Sequence, residues 1–287
     1  MRSIHVVEEL LPMAWQEAVL RCWAEGAPFT TEYDKPGDPK SKDVLAVIHV
    51  TNPFDEPRIH RGFPGGLNDL QKYVMEAVHG VHDHWIDLDG KGWKYTYCER
   101  LRRYMVPLPN SPRYDQIQNA IDKLREAPHT RRAQAVTWQA WEDFQYDDPP
   151  CLQRLWFRVE DGRLNMVAHI RSNDAFKAGF MNMYAFTEIQ RRVAQELGVG
   201  LGEYVHVADS FHIYGSYFSE FEGFLKLVHD RGNDEVTWNS RHYADVLLDG
   251  MNELLDEEDM PGHKREIVLR EREELMAYVA DSVSKMR

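Results

Sequence analysis

One cysteine lies where the chain could position a nucleophile. Cys151 follows Pro149 and Pro150 and precedes an apolar stretch that begins at Leu152. Two prolines restrict the backbone before the thiol, so the thiol is carried on a rigid segment. A thiolate is the attacking form of cysteine, and positive charge nearby lowers the thiol pKa. Cys151 is therefore a candidate nucleophile, and the alternative is an inert buried cysteine.

Three arginines could supply that charge or bind a phosphate group through paired hydrogen bonds. Arg131 and Arg132 precede a strand-like stretch, and Arg171 follows the apolar run 166–170. A polar tetrad begins at the third arginine, where a strand gives way to a helix whose N–H groups could bind an anion. Its members are Arg171, Ser172, Asn173 and Asp174.

Further polar residues could recognise a flat ring and a sugar. Asn182 lies in a largely apolar stretch, and its amide could bond the backbone or the edge of a heterocycle. His212 and Tyr214 alternate along a predicted strand and so share one face. They could bind sugar hydroxyls, or they could fill a polar gap in the core.

Hydrophobic periodicity and turn residues predict the elements that carry these side chains. The predicted helices cover residues 11–25, 67–80, 114–126 and 174–197, and the predicted strands cover 44–50, 133–138, 152–160, 163–171 and 203–214. Asp161-Gly162 predicts a hairpin turn. Residues 27–42 predict a mobile loop, and 240–287 a charged helical region. Helices and strands do not alternate regularly, which favours an α+β fold with helices packed on a mainly antiparallel or mixed sheet.

Composition narrows the classes of function. The chain has 287 residues, 43% of them hydrophobic, and a net charge of −13, which disfavours a nucleic-acid polymer as partner. No apolar run reaches the roughly 20 residues that cross a bilayer, and acidic residues occupy the N-terminus. We therefore expect a soluble, cytoplasmic protein without a membrane partner. Its three cysteines lack metal-ligand spacing, so no metal site is expected.

Taken in order, these motifs resemble the thymidylate synthase superfamily. Pro149-Pro150-Cys151 resembles the family's proline-cysteine nucleophile, and the tetrad from Arg171 resembles its Arg-Ser-x-Asp motif. Asn182 falls at the spacing of the pyrimidine-reading asparagine. The remaining motifs are Gly62-Phe63-Pro64, Asp115-Gln116-Ile117, Thr130-Arg131-Arg132 and His212-Ile213-Tyr214. The alternative, in which every motif is ordinary core packing, would require many independent coincidences at fixed spacing.

The resemblance implies a role for each residue. Cys151 would attack C6 of a pyrimidine nucleoside monophosphate, with Glu76, Tyr97 and Asp174 as further catalytic residues. Asp174 would also hold the folate pterin ring. The implied nucleotide-binding residues are Arg131, Arg132, Arg171, Ser172, Asn173, Asn182, His212 and Tyr214. The fold that the resemblance implies is one α+β domain over 1–287, with helices packed on a large mixed sheet. Arg131 and Arg132 would reach the site of the partner subunit, in a homodimer whose interface is that sheet.

The implied reaction transfers a carbon from 5,10-methylenetetrahydrofolate to C5 of the base, turning dUMP into dTMP when hydride ends it. Water instead of hydride would make the chain a dUMP or (d)CMP 5-hydroxymethylase, although Asn182 favours uracil. A third alternative is a catalytically inactive nucleotide-binding homologue. The sequence departs from the family in three places. No phosphate-loop arginine lies in 27–42, Leu152 replaces the histidine after the nucleophile, and residues 279–287 lack the apolar tail. Arg58, Arg61 and the lysines of 35–42 are the candidates to replace that arginine.

Overall fold

Strands and helices follow each other irregularly along the chain. The structure, a computed structural model, describes the backbone of residues 1–284 and the side chains of 1–277. The helices there are α1 (Leu11–Glu25), α2 (Leu67–His79), α3 (Tyr97–Arg102), α4 (Gln116–Glu126), α5 (Gly179–Leu197), α6 (Phe218–Asp230), α7 (Asn233–Val236), α8 (Ala244–Asp256) and α9 (Gly262–Ser284). The strands are β1 (Ser3–Glu8), β2 (Ala27–Phe29), β3 (Ser41–Val50), β4 (Ile59–His60), β5 (Gln134–Val136), β6 (Leu152–Glu160), β7 (Arg163–Asp174), β8 (Gly200–Ile213) and β9 (Thr237–Trp238).

A seven-stranded mixed sheet forms the centre of the molecule. Its strand order is β1-β3-β8-β7-β6-β5, and β2 pairs with β3. β1 and β3 are parallel, as are β7 and β8, whereas β3–β8, β6–β7 and β5–β6 are antiparallel. The β6–β7 hairpin turns at Asp161 and Gly162, which have φ angles of 50° and 73°. The predicted α+β class, with helices on a large mixed sheet, is confirmed.

The helices cover one face of this sheet. Alternate residues of β7 and β8 are buried, including Ala168 and His206, while the residues between them are only partly covered. α1 packs on β1 and β3, and α5 packs on β7 and β8. Trp15 of α1 is fully buried, and its indole N–H donates to the carbonyl of Ala175 at 2.8 Å. This bond ties α1 to the segment where the polar tetrad ends.

Several predicted boundaries differ from the structure. The helix predicted from residue 174 begins at Gly179, because Ser172–Asp174 extend β7 and Asp174 caps the turn that follows. The segment 27–42, predicted as a loop, contains β2 and the first residues of β3. β1 was not predicted. Residues 240–287 are largely helical where described, as predicted, while the whole tail segment 279–287 lies beyond the described side chains.

The C-terminal helices pack on the first half of the chain. α8 lies close to α2, and a Cβ atom at Gly250 would stand 2.4 Å from the carbonyl oxygen of Asn68. Glycine therefore permits this approach of the two helices. The close approach of α2 and α8 also brings the turn between α8 and α9 beside the C-terminal end of α2. Within the described residues, no helix is both long and apolar enough to cross a membrane.

Candidate active site

The β6–β7 pairing places Cys151 beside Arg171. Leu152 pairs with Ile170, so the residue before β6 lies next to the residue that follows Ile170 in β7. The Arg171 backbone N–H donates to the carbonyl of Cys151 at 2.9 Å. Its guanidinium donates to the carbonyl of Pro149 at 2.8 Å, and its Nη2 lies 4.0 Å from the Cys151 Sγ. One arginine thus holds the rigid approach segment and contacts the thiol.

The thiol of Cys151 is not strongly acidic in the free chain. Burial raises its pKa, the charge of Arg171 lowers it, and the charge of Asp148 raises it, so that the net pKa is raised. Arg171 lowers the thiol pKa, as expected, but its effect is smaller than the opposite effect of burial. The raised pKa favours the thiol over the thiolate in the free chain.

We expect replacement of Arg171 by glutamine to raise the thiol pKa further, because it removes the cause that lowers it. Iodoacetamide alkylation as a function of pH measures this value, and Arg171→Lys, which keeps the charge, should fall between wild type and Arg171→Gln. Cys22 and Cys98 are buried, with thiol pKa values raised to about 12, so the label reports on Cys151. Arg154→Gln, an exposed change on β6, is the matched control. Identical profiles for wild type and Arg171→Gln would contradict this assignment.

Tyrosines surround the thiol. The Tyr97 hydroxyl accepts from the backbone N–H of Leu152 at 3.3 Å. Burial raises the pKa of Tyr97, and the negative charge of the Cys151 thiolate raises it further. The same two causes act on four other phenols, which are Tyr33, Tyr73, Tyr95 and Tyr214. Tyr97 was predicted from the sequence, whereas Tyr33, Tyr73 and Tyr95 were not, although the alternation of Tyr95 with Tyr97 was a usable signal.

The predicted base-reading amide meets a tyrosine. Asn182 of α5 is 7% exposed, and its Oδ1 accepts from the Tyr73 hydroxyl at 2.6 Å. Tyr73 and Glu76 lie three residues apart on α2 and therefore on one helical face. After burial and the charge of Tyr97, the charge of Glu76 also raises the Tyr73 pKa. Asn182, Tyr73 and Glu76 thus belong to one polar group near Cys151.

His212 presents a hydrogen-bond acceptor. Ser210 donates its single hydroxyl proton to Oδ1 of Asp43, so its oxygen accepts from Nδ1 of His212 at 3.2 Å. The Nε2 atom therefore carries no proton, and it is buried without a partner among the described side chains. Burial lowers the His212 pKa, which agrees with a neutral ring. Tyr214 lies beside it, with ring centroids 4.6 Å apart.

Asp174 keeps one carboxylate oxygen available. Its Oδ1 accepts from the backbone N–H groups of Phe176 and Lys177 at 3.1 and 2.9 Å. Its Oδ2 has no hydrogen-bond partner in the described part of the chain. Burial raises the pKa of this carboxyl to about 6 against those two bonds. A carboxylate oxygen without a partner among the described residues is available to accept from an N–H group of a ligand.

Four of the predicted site residues lie outside this cluster or make no contact in it. Asn173 is 1% exposed, and its Oδ1 pairs with Nε2 of His206 in the core at 2.8 Å. Ser172 is half-buried. Arg131 and Arg132 are exposed, and neither side chain makes an ion pair within residues 1–277. Glu76, which lies in the polar group with Tyr73, also pairs with His82 Nδ1 at 3.1 Å.

Two of the candidates for the missing phosphate-loop arginine contact other residues of the chain. Arg58 is 8% exposed and donates to Glu188 at 2.7 Å and to Thr187 at 3.0 Å, so it is a core ion pair. Arg61 lies over the Trp238 ring. Among the described residues, no group of three or more His, Cys, Asp or Glu side chains could hold a metal ion.

Comparison with known proteins identifies the family. The family model described as thymidylate synthase matches residues 65–262, which include every predicted site residue. A "Putative thymidylate synthase" of Methanothermobacter thermautotrophicus is 33% identical over 218 residues, covering 74% of this chain and 94% of that protein. One of the same description from Methanosarcina acetivorans is 27% identical over 215 residues, covering 75% and 91%.

A solved structure shares the fold. The thermostable thymidylate synthase A of Bacillus subtilis superposes with a TM-score of 0.58 at 20% identity, covering 74% of this chain and 83% of that one. The family match extends over more than half of the chain, so the predicted superfamily, and with it an enzyme of folate-dependent one-carbon transfer, is confirmed. The chain belongs to the thymidylate synthase family.

Proposed function

We propose that this chain converts dUMP to dTMP with 5,10-methylenetetrahydrofolate, through a covalent bond between Cys151 and C6 of the base. The observation that supports the proposal best is the thiol itself. It lies 4.0 Å from the Arg171 guanidinium, and, after burial, the charge of its thiolate raises the pKa of the Tyr97 phenol. A half-buried thiol next to a cation and a phenol suits attack on a flat, electron-poor ring.

Each end of the nucleotide has a matching group. Arg171 binds the 5′-phosphate together with Arg131 and Arg132 of the partner subunit, since guanidinium groups fit a dianion. The bare Nε2 of His212 accepts from a sugar hydroxyl, and Tyr214 binds beside it. Ser172 completes the polar surface between them. Asn173, which is buried against His206, acts on the nucleotide by holding this segment in place.

Asn182 reads the base. With Tyr73 donating to its Oδ1, the amide keeps one lone pair and two N–H donors. These match N3–H and O4 of uracil, whereas cytosine presents a bare N3 and an amino group. Glu76 moves protons at the same edge. When bound, the folate supplies the methylene carbon and the hydride, and Asp174 holds its pterin ring.

We expect Asn182→Asp to shift preference from dUMP towards dCMP by about 1–3 kcal/mol in relative kcat/KM, because a carboxyl accepts from an amino group and cannot donate to O4 unless protonated. Tyr73→Phe should weaken the preference without reversing it, because it frees the amide to turn. The measurement is tritium release from C5-labelled dUMP and dCMP. If both variants keep the preference of wild type, Asn182 does not read the base.

The proposed homodimer uses the uncovered face of the sheet. Half-buried valines line that face between the charged residues, and they are Val47, Val167, Val205 and Val207. Apolar side chains on an open sheet face favour burial against a second copy. A closed two-fold dimer through this face would bring the exposed Arg131 and Arg132 towards the partner site.

Product mass after incubation with methylenetetrahydrofolate tests the function. Four substrates should be compared, namely the uridine and cytidine monophosphates in ribose and deoxyribose form. We expect a methyl product from dUMP with formation of dihydrofolate. A hydroxymethyl product without oxidised folate would instead establish the hydroxymethylase, which the polar Glu76–His82 pair at the base end favours. Absence of any product together with nucleotide binding would establish an inactive homologue.

A further inference from the structure

A histidine joins the proposed proton-transfer glutamate to the C-terminal helical region. Nδ1 of His82 lies 3.1 Å from Oε2 of Glu76, and its Nε2 lies 3.3 Å from Oε1 of Glu257. Glu257 directly follows α8, at the turn that packs beside α2. The His82 side chain is 8% exposed, against 22% for Glu76 and 24% for Glu257. The buried ring therefore separates two partly exposed carboxyl groups.

The hydrogen-bonding groups restrict where protons can lie among Glu76, His82 and Glu257. A neutral imidazole has one N–H and one bare nitrogen, and an ionised carboxylate only accepts. With a carboxyl group at each nitrogen, either the ring is protonated and donates to both, or one carboxyl group is protonated. Both arrangements keep an additional proton next to Glu76.

Three features favour the protonated ring. The Trp85 indole stacks on His82 with ring centroids 3.8 Å apart and an angle of 5°, and aromatic faces attract cations. Oε2 of Glu257 is buried without a hydrogen bond in the described part of the chain, its Oε1 contacts His82, and the nearby Arg265 guanidinium donates to the backbone carbonyl of Glu257 instead. Burial lowers the His82 pKa, but the hydrogen bond to Glu76 and the charge of Glu257 outweigh it, and the net pKa is raised.

The turn that carries Glu257 is fixed against the histidine loop. Nε1 of Trp85 donates to Oδ2 of Asp259 at 2.9 Å, and Nε2 of His84 lies 3.5 Å from the same carboxylate. From α9, Lys264 lies 3.7 Å from Oδ2 of Asp83. These contacts pair the neighbouring charges with each other and leave Glu76 and Glu257 as the carboxylates facing His82.

We propose that Glu257 holds His82 as an imidazolium and that this imidazolium recharges Glu76 with protons, an inference that rests on the function proposed above. When the base needs a proton, the Nδ1–H bond of His82 breaks and that proton moves to Oε2 of the ionised Glu76, which then passes one proton to the base and is a carboxylate again. The ring becomes neutral, and its remaining N–H donates to Glu257. When the base returns a proton to Glu76, one passes back to Nδ1, so protons balance. His82 acts through Glu76 and is a positioning residue.

His82→Gln and Glu257→Gln test the proposal. Glutamine can still donate to a carboxylate, but it stores no proton, so we expect kcat for C5-tritium release to fall roughly tenfold or more, with KM for dUMP changed by less than about twofold. The imidazolium exists below its pKa and disappears above it. Wild-type kcat should therefore fall as pH rises through the raised His82 pKa, and His82→Gln should lack this decrease. In Glu257→Gln the decrease should move to lower pH.

A readout without substrate separates this inference from the proposed function. NMR titration of the His82 ring should give a lower pKa in Glu257→Gln than in wild type, whether or not the enzyme makes dTMP. His84→Gln, a change in the same loop at a histidine that pairs with Asp259, is the matched control and should keep kcat. An unmoved titration in Glu257→Gln, or a His82→Gln enzyme with the kcat and pH profile of wild type, would overturn the proposal. Loss of product in wild type itself would overturn the proposed function alone.

Discussion

Cys151→Ser is expected to reduce C5-tritium release from dUMP by a factor of roughly 10³ or more. Serine is nearly isosteric with cysteine, so the fold and the bonds from Arg171 to the carbonyls of Pro149 and Pro150 should remain. A buried hydroxyl is far less acidic than a thiol. Within the described residues, the Arg171 guanidinium lies 4.0 Å from Sγ and cannot take a proton. The serine hydroxyl would therefore be a poor acid, and Arg171 could not remove its proton.

The other two cysteines provide matched controls for this prediction. Cys22 contacts the carbonyl of Phe211 at 3.3 Å, and Cys98 contacts that of Val78 at 3.6 Å. Serine at either position could keep the contact, and neither residue belongs to the proposed site, so activity should persist. Mass spectrometry of denatured wild-type enzyme after incubation with substrate should show a nucleotide adduct that Cys151→Ser lacks. Appreciable turnover by Cys151→Ser would remove the nucleophile assignment.

Local signals in the sequence predicted most of the fold. Pro12 and Gly26 bound α1, and Asp161-Gly162 form the turn of the β6–β7 hairpin with the positive φ angles that such a turn needs. That hairpin places Arg171 beside Cys151, so the centre of the site followed from it. β1 was not predicted because only Ile4 and Val6 form its buried apolar face, and its partner strand lies 42 positions later in the chain, pairing Ile4 with Ala46.

Contacts between distant segments could not be predicted in the same way. Tyr73 meets Asn182 across 109 residues, and His82 meets Glu257 across 175, so no spacing along the chain indicates either pair. The sign of the thiol pKa shift also depends on burial, which a sequence motif does not measure. For Asn173 the sequence indicated a contact that the side chain does not make. Its place in a functional motif predicts contact with the ligand, whereas its side chain bonds His206 in the core.

The second large effect concerns Arg131 and Arg132. Both are exposed and have no ion pair within residues 1–277, although the chain carries a net charge of −13. An unpaired arginine pair on an acidic protein is suited to a phosphate group or to a partner's site. We expect the double variant Arg131→Gln/Arg132→Gln to lose most activity at low dUMP concentration, because the dianion would keep only Arg171.

Mixing this double variant with Cys151→Ser distinguishes arginines that act within one subunit from arginines that act across the dimer. If they act across it, the mixed dimer has one site with an intact thiol facing intact arginines and one site with both defects. Random exchange of equal amounts makes half of the dimers mixed, so activity should return to about a quarter of the wild-type value. Each parent refolded alone is the control and should stay inactive.

No recovery after exchange, with light scattering showing that mixed dimers form, would mean that each subunit uses its own arginines. Light scattering that shows only monomers at working concentration would exclude the shared site altogether. Recovery would instead make the open sheet face part of the catalytic unit. The half-buried valines on that face would then bring the phosphate-binding charge of one subunit to the thiol of the other, and a single chain would lack a complete site.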